Sequence, residues 1–137
     1  MSQTDQPENL KYAETHEWVR VEGDEAFIGI SDYAQDELGE VVFLELPWNE
    51  VGTAQFKAGD RFGEIESVKA TSELFAPVSG TLARVHETLK DLDKLEAINK
   101  DPYGQGWMLA IRMSDPAELD KLMDAAAYTK FLETAGH

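Results

Sequence analysis

Gly63-Glu64-Ile65-Glu66-Ser67-Val68-Lys69-Ala70-Thr71-Ser72-Glu73-Leu74-Phe75-Ala76-Pro77-Val78-Ser79-Gly80 is the stretch on which the fold turns. Arg61 to Ser67 alternates Phe62, Glu64 and Glu66 against Gly63, Ile65 and Ser67. That is the period of a strand, though an imperfect one that leaves the facing of these residues open. Ala58-Gly59-Asp60 makes a turn before it, and Pro77-Val78-Ser79-Gly80 makes one after Leu74-Phe75-Ala76. The symmetry predicts a hairpin with Lys69 at its tip, the most exposed kind of site a sheet protein offers.

Outward from the hairpin the pattern stays mostly β. Trp18 to Val21 alternates, Glu22-Gly23-Asp24-Glu25 turns, and Ala26 to Ile30 returns, a second hairpin. Ser31 or Asp32 caps a short helix running to Leu38, and Gly39 supplies its left-handed end. Val41 to Leu46 reads as a buried strand stopped by Pro47, and Thr81 to Val85 as a further strand. Leu89, Leu92 and Leu95 suit a short helix or helical turn, Asn99 to Gly106 a loop, and Trp107 to Met113 a strand. Asp115-Pro116-Ala117-Glu118 reads as cap, proline at the first helical position and a Glu three residues after the cap. Leu119, Leu122, Met123 and Ala126 then share one face of a C-terminal helix, with a last turn from Tyr128 to Leu132 packing back on the body.

The chain has 137 residues, enough for one domain with a single core. Residues 1–10 read as a flexible leader without signal or transit character, and residues 11–137 as the folded unit, so a cytoplasmic location is expected. Apolar runs such as Val41-Val42-Phe43-Leu44 are too short to cross a bilayer. A formal charge of −15 with no basic stripe argues against nucleic acid. It fits solubility and steering toward basic surfaces on partner proteins. With no cysteine, any thiol chemistry must come from a cofactor.

The segment around Lys69 resembles lipoyl-bearing proteins. Glu66 stands three residues before the lysine, the small Ala70 follows it, and Ala76-Pro77-Val78-Ser79-Gly80 ends the downstream strand in their A-P-x-x-G turn. Glu66 and Glu73 flank the turn, where a modifying enzyme or later partners can read them together with Val68 and Ala70. Biotin carriers flank the lysine with methionines, whereas Val68 and Ala70 stand here. Lipoyl domains of 2-oxo acid dehydrogenase complexes place Asp before the lysine and sit in longer chains with Pro/Ala-rich linkers. Farther segments resemble the H-protein family of glycine cleavage systems: His16-Glu17-Trp18-Val19, Gly29 to Gln35 with Leu38-Gly39, Asp101 to Trp107, and Ser114 to Leu119. The similarity spans about Lys11 to Leu132. Trp48-Asn49 lengthens one loop relative to the family, and His86 to Ile98 follows its pattern loosely.

The resemblance implies a mostly-β fold: a flattened sandwich of two small antiparallel sheets of the biotinyl/lipoyl, barrel-sandwich hybrid type, with short helices and a C-terminal helix. It implies a carrier with no catalysis of its own, bearing lipoate amide-linked to Lys69. The implied partners are a pyridoxal-phosphate glycine dehydrogenase (decarboxylating), a tetrahydrofolate-dependent aminomethyltransferase, dihydrolipoyl dehydrogenase, and lipoyl- or octanoyl-attaching enzymes. A monomer is the default expectation. A relay handing lipoate to other enzymes and an unmodified interaction module are the alternatives.

Other residues carry weaker signals. His16, His86 and His137 are scattered without metal-ligand spacing, so no metal site is expected. His16 can contact a loaded arm, though a structural role is the simpler account. Glu64 and Glu66 share a strand face without a nucleophile to complete a site. Ser31 and Asp101-Pro102-Tyr103-Gly104 read as cap and turn, and Gly104-Gln105-Gly106 lacks the rest of a dinucleotide fingerprint. A Schiff-base role for Lys69 needs a desolvated pocket that a hairpin tip does not offer.

Overall fold

Gly23 takes φ 65, which lets the chain reverse tightly between β2 (Glu17–Glu22) and β3 (Glu25–Ile30). The computed structural model, which describes residues 6–135, builds its larger sheet on this hairpin. The strand order is β1 (Lys11–Tyr12), β2, β3, β9 (Leu109–Met113), β8 (Gly80–Val85) and β5 (Gln55–Phe56), every pairing antiparallel. A second antiparallel sheet runs β4 (Val41–Glu45), β6 (Arg61–Ser67) and β7 (Thr71–Phe75). The expected mostly-β architecture of two antiparallel sheets with short helices and a C-terminal helix is present, with sheets of six and three strands.

Strand alternation divides the core in two. Val19 and Ile28 point toward the smaller sheet, where they join Ile65, Leu74 and Leu82 in one apolar cluster. Each such side chain contributes roughly 1.5–3 kcal/mol by leaving water. Trp18 points the other way and joins Leu10, Tyr12, Tyr128 and Leu132. Trp18 lies opposite Gly29, and a Cβ there would stand 2.8 Å from the indole ring, so only glycine leaves room for it. The indole N–H donates to Pro102 O at 2.9 Å. Of the leader expected over residues 1–10, residues 1–5 lie outside the described residues. Leu10 is buried, and Tyr12 Oη donates to Pro7 O.

α1 (Asp32–Leu38) starts and stops as its local chemistry predicts: Ser31 Oγ accepts the Ala34 N–H and Gly39 takes φ 80. Here two expectations are corrected and one, left between a helix and a helical turn, is resolved. Val41 to Leu46 is not a buried strand throughout, because β4 is a sheet edge with a bulge between Val41 and Phe43 that leaves Val42 and Phe43 exposed. The leucines at 89, 92 and 95 form no single helix but two 3₁₀ turns, Glu87–Lys90 and Leu92–Lys94, with Leu89 and Leu95 buried and Leu92 exposed. α2 (Glu96–Lys100) then occupies part of the expected loop.

The C-terminal helix is also broken. Pro116–Lys121 is a 3₁₀ segment, Leu122 is extended, and α3 (Ala125–Ala135) begins only afterwards. The break lets Met123 exchange backbone hydrogen bonds with Tyr12 at 2.8 and 2.9 Å, which a continuous helix would forbid. Asp115 does cap, accepting from Ala117 N–H, but Glu118 bonds Ser79 N–H and Oγ, both at 2.7 Å, instead of closing a capping box. No helix among the described residues is long and apolar enough to cross a membrane.

Candidate functional site around Lys69

The β6–β7 hairpin carries the site. Glu66 pairs with Thr71 and Glu64 with Glu73, so Val68, Lys69 and Ala70 form the exposed tip. A register shift between Arg61 and Gly63 accounts for the imperfect alternation: Phe62 and Gly63 are both buried before regular facing resumes at Ile65. Ser67 organises the turn. Its buried Oγ accepts the N–H groups of Lys69 at 3.2 Å and Ala70 at 3.1 Å and donates to Ala70 O, while Ser67 N–H donates to the same carbonyl at 2.8 Å. One hydroxyl thereby satisfies amides that a sharp turn would otherwise leave to water.

The tip is tied to the body through the link between α1 and β4. Val68 N–H donates to Glu40 O at 3.0 Å. The Lys69 stem lies beside Gly39, where a Cβ would stand 3.8 Å from Lys69 Cε. Among the described residues Lys69 Nζ makes no hydrogen bond or ion pair, so its amine is presented free on an ordered backbone.

The acidic residues around the tip divide. Arg61 gathers Glu64 at 3.1 Å, Glu73 at 3.2 Å and Glu45 at 3.6 Å, all on the outer face of the small sheet. Glu66 lies on the same face nearer the tip, exposed and without an ion pair among the described residues.

Beside the hairpin, between β7, α1 and β2, lies a cavity of about 300 Å³. Thr15, His16, Glu17, Tyr33, Glu37 and Glu73 supply its polar walls, with Leu38 of α1 and Leu74 of β7 among its apolar ones. Glu17 shares the inward face of β2 with Val19 and is almost fully buried. Its carboxylate accepts the Phe75 N–H at 3.0 Å and the Thr15 hydroxyl. Burial nevertheless pushes its pKa up to about 7, against the lowering effect of those hydrogen bonds. His16 takes φ 78, and its Nδ1 lies 2.7 Å from Tyr128 Oη, which is 2.8 Å from Ser31 Oγ. Burial lowers the His16 pKa, opposed by the Glu37 charge.

The structure thus brings Glu66, Val68, Lys69 and Ala70 together at the tip and sets Glu73 on the cavity rim. His16 belongs to the cavity, whereas His86 stacks on Trp107 far along the larger sheet, with ring centroids 4.3 Å apart. His137 lies outside the described residues. Asp101 holds its turn internally, accepting Gly104, Gln105 and Gly106 N–H groups. No cluster of metal-ligating side chains occurs among the described residues. Sequence reasoning missed Glu17, Tyr33 and Glu37 as cavity residues. The one available signal was Glu17 on the apolar face of its strand.

Comparison with known proteins agrees with this geometry. The family model described as glycine cleavage H-protein matches residues 10–135. The glycine cleavage system H protein of Brevibacillus brevis is 54% identical over 122 residues, covering 89% of this chain and 93% of the relative. A probable glycine cleavage system H protein of Haloarcula marismortui is 50% identical over 129 residues, 94% of this chain and 98% of the relative. The crystal structure of a glycine cleavage system H protein from Mycobacterium marinum superposes with a TM-score of 0.77 at 31% identity, covering 96% of this chain and 99% of that one. With nearly the whole chain matched in sequence and in fold, the chain belongs to the glycine cleavage H-protein family, whose members are carrier subunits rather than catalysts.

Proposed function

We propose that Lys69 bears a lipoyl group in amide linkage, and that the chain shuttles the aminomethyl group of glycine among the enzymes of glycine cleavage. The observation that carries this reading is an exposed lysine amine with no polar partner among the described residues, on a turn whose backbone amides are satisfied. The residues fit the group: acylation of Lys69 breaks no ion pair, and Gly39 leaves space along the stem. When bound, the dithiolane supplies the exchangeable disulfide that this cysteine-free chain lacks.

The chain's own residues then present, read out and shelter. Ser67 and Glu40 hold the tip in one conformation. Glu66, Val68 and Ala70 face an attaching enzyme, with Glu73 on the rim. The cavity beside the hairpin has Glu37 in its wall and Glu73, paired with Arg61, at its rim, acidic groups suited to a cationic aminomethyl cargo. The partners are the decarboxylating glycine dehydrogenase that loads the carrier, the aminomethyltransferase that unloads it, the dihydrolipoyl dehydrogenase that reoxidises it, and the enzyme that attaches lipoate. Tethering raises the local concentration of cargo at each of them.

Intact mass and peptide mapping, after production beside a lipoyl-attaching enzyme with lipoate, test the reading. A single lipoyl adduct on the Lys69 peptide is expected. No adduct, where a known acceptor is modified, overturns it and leaves an unmodified interaction module of the same fold.

A further inference from the structure

Asn99 sits on α2, thirty residues beyond Lys69 in sequence, and its half-buried side-chain amide is fully used. Oδ1 accepts the Val41 N–H at 3.0 Å. Nδ2 donates to Gly39 O at 2.7 Å and to Gln35 Oε1 at 3.1 Å. The amide's orientation is dictated by its partners. Gln35 Nε2 is committed to Asp32 Oδ1 at 2.7 Å, so Gln35 offers Asn99 an oxygen and requires a donor. Turning the Asn99 amide over would set N–H against the Val41 N–H and oxygen against the Gly39 carbonyl.

These contacts grip Gly39 and Val41, the two neighbours of Glu40. Glu40 O is the acceptor for Val68 N–H, one residue before Lys69. Among the described residues, the Val68 amide is the only one of the tip amides 68–70 that donates outside the turn, since those of Lys69 and Ala70 bond Ser67 Oγ. The link needs such a grip. Gly39 is at φ 80 and ψ −158, and a glycine there has neighbouring conformations of similar energy that would swing the Glu40 carbonyl away.

We infer that Asn99 is the positioning residue of the lysine tip: by bracketing residues 39 and 41 it fixes the Glu40 carbonyl that anchors Val68, and thereby sets where Lys69 is presented. The inference rests on reading Lys69 as the modified residue. Asn99 touches no reacting atom and acts only through the backbone.

Asn99→Asp is the discriminating change. It keeps the shape and the acceptor for Val41 N–H but aims an oxygen at Gly39 O and Gln35 Oε1. The first readout is amide hydrogen exchange in the unmodified full chain, which needs no cofactor. Val68 is expected to exchange about tenfold faster, roughly the loss of one net hydrogen bond, while Ala70 and the core amides keep their wild-type rates. The second readout is modification by a lipoyl-attaching enzyme, where KM rises by about the same factor of ten at unchanged kcat, because the tip must be captured from more conformations. Asn99→Ser, smaller and uncharged, carries both readouts should the aspartate variant not fold. Wild-type exchange at Val68 in a folded variant overturns the inference, whatever the KM. The two readings fail separately. A wild-type chain that takes no adduct sinks the carrier function while the exchange result still decides the bracket. A lipoylated wild type with unmoved Val68 exchange sinks the bracket alone.

Discussion

Glu17 Oε2 on β2 accepts the Phe75 N–H on β7 at 3.0 Å, so a buried carboxylate bridges the larger sheet to the hairpin that carries Lys69. Burial makes this bridge sensitive to pH. The pKa is raised to about 7 from an ordinary 4.5, so the folded state holds the proton more tightly than the unfolded chain. The stability gained from the protonated form is therefore complete below about pH 4.5 and lost as pH rises through about 7.

Glu17→Gln removes that dependence while keeping an acceptor for Phe75 N–H and a donor for Thr15. Urea unfolding of variant and wild type between pH 4.5 and 8 is expected to show the difference between them shifting toward the variant by on the order of 3 kcal/mol across the window. A constant difference would mean that Glu17 is solvated and the bridge weak.

Lys69→Arg keeps the charge and cannot form the amide. Because Lys69 Nζ has no polar partner among the described residues, the variant should unfold within about 0.5 kcal/mol of wild type. It should take no lipoyl mass and support no glycine decarboxylation with the partner enzymes. Retained decarboxylation would exclude a shuttle through this residue.

Ser67→Ala removes the hydroxyl that accepts two turn amides and donates to Ala70 O. The expected cost is about 1–2 kcal/mol in denaturant unfolding, since the released groups reach water only in part. Hydrogen exchange at Lys69 and Ala70 should accelerate, distinguishing a loosened tip from a general loss of stability.

Gly29→Ala tests the second core. The added methyl would meet the Trp18 ring, which is held by its bond to Pro102 O and has little room to retreat. Destabilisation of about 1–3 kcal/mol is expected, together with a change in tryptophan fluorescence from the displaced indole. An unchanged midpoint would show that the loop at Pro102 gives way freely.

Features governed by neighbours in the chain are legible in the sequence itself. Lys69 at a hairpin tip, the Gly23 turn, the Ser31 cap and the Gly39 stop depend on backbone conformations and turn chemistry spanning a few residues. Composition settled the missing thiol, and the motifs around Lys69, His16 and Tyr103 pointed to the family. Facing was harder wherever a bulge intervened: Phe62 and Phe43 fall at register shifts, where one strand carries an extra residue that is recognisable only once the two strands are paired.

What tertiary structure alone decided depends on residues distant in sequence. Leu122 and Met123 read as helix and became extended where Tyr12 offers Met123 a backbone partner. Glu118 fits a capping box and instead bonds Ser79, because β8 brings that serine within reach. Glu17 became a buried bridge when the small sheet closed over β2, and Asn99 became a bracket when α2 settled against the α1–β4 link. Where a local preference competed, as at Leu122 and Glu118, it is worth about 1 kcal/mol, small enough for hydrogen bonds from elsewhere in the fold to override it.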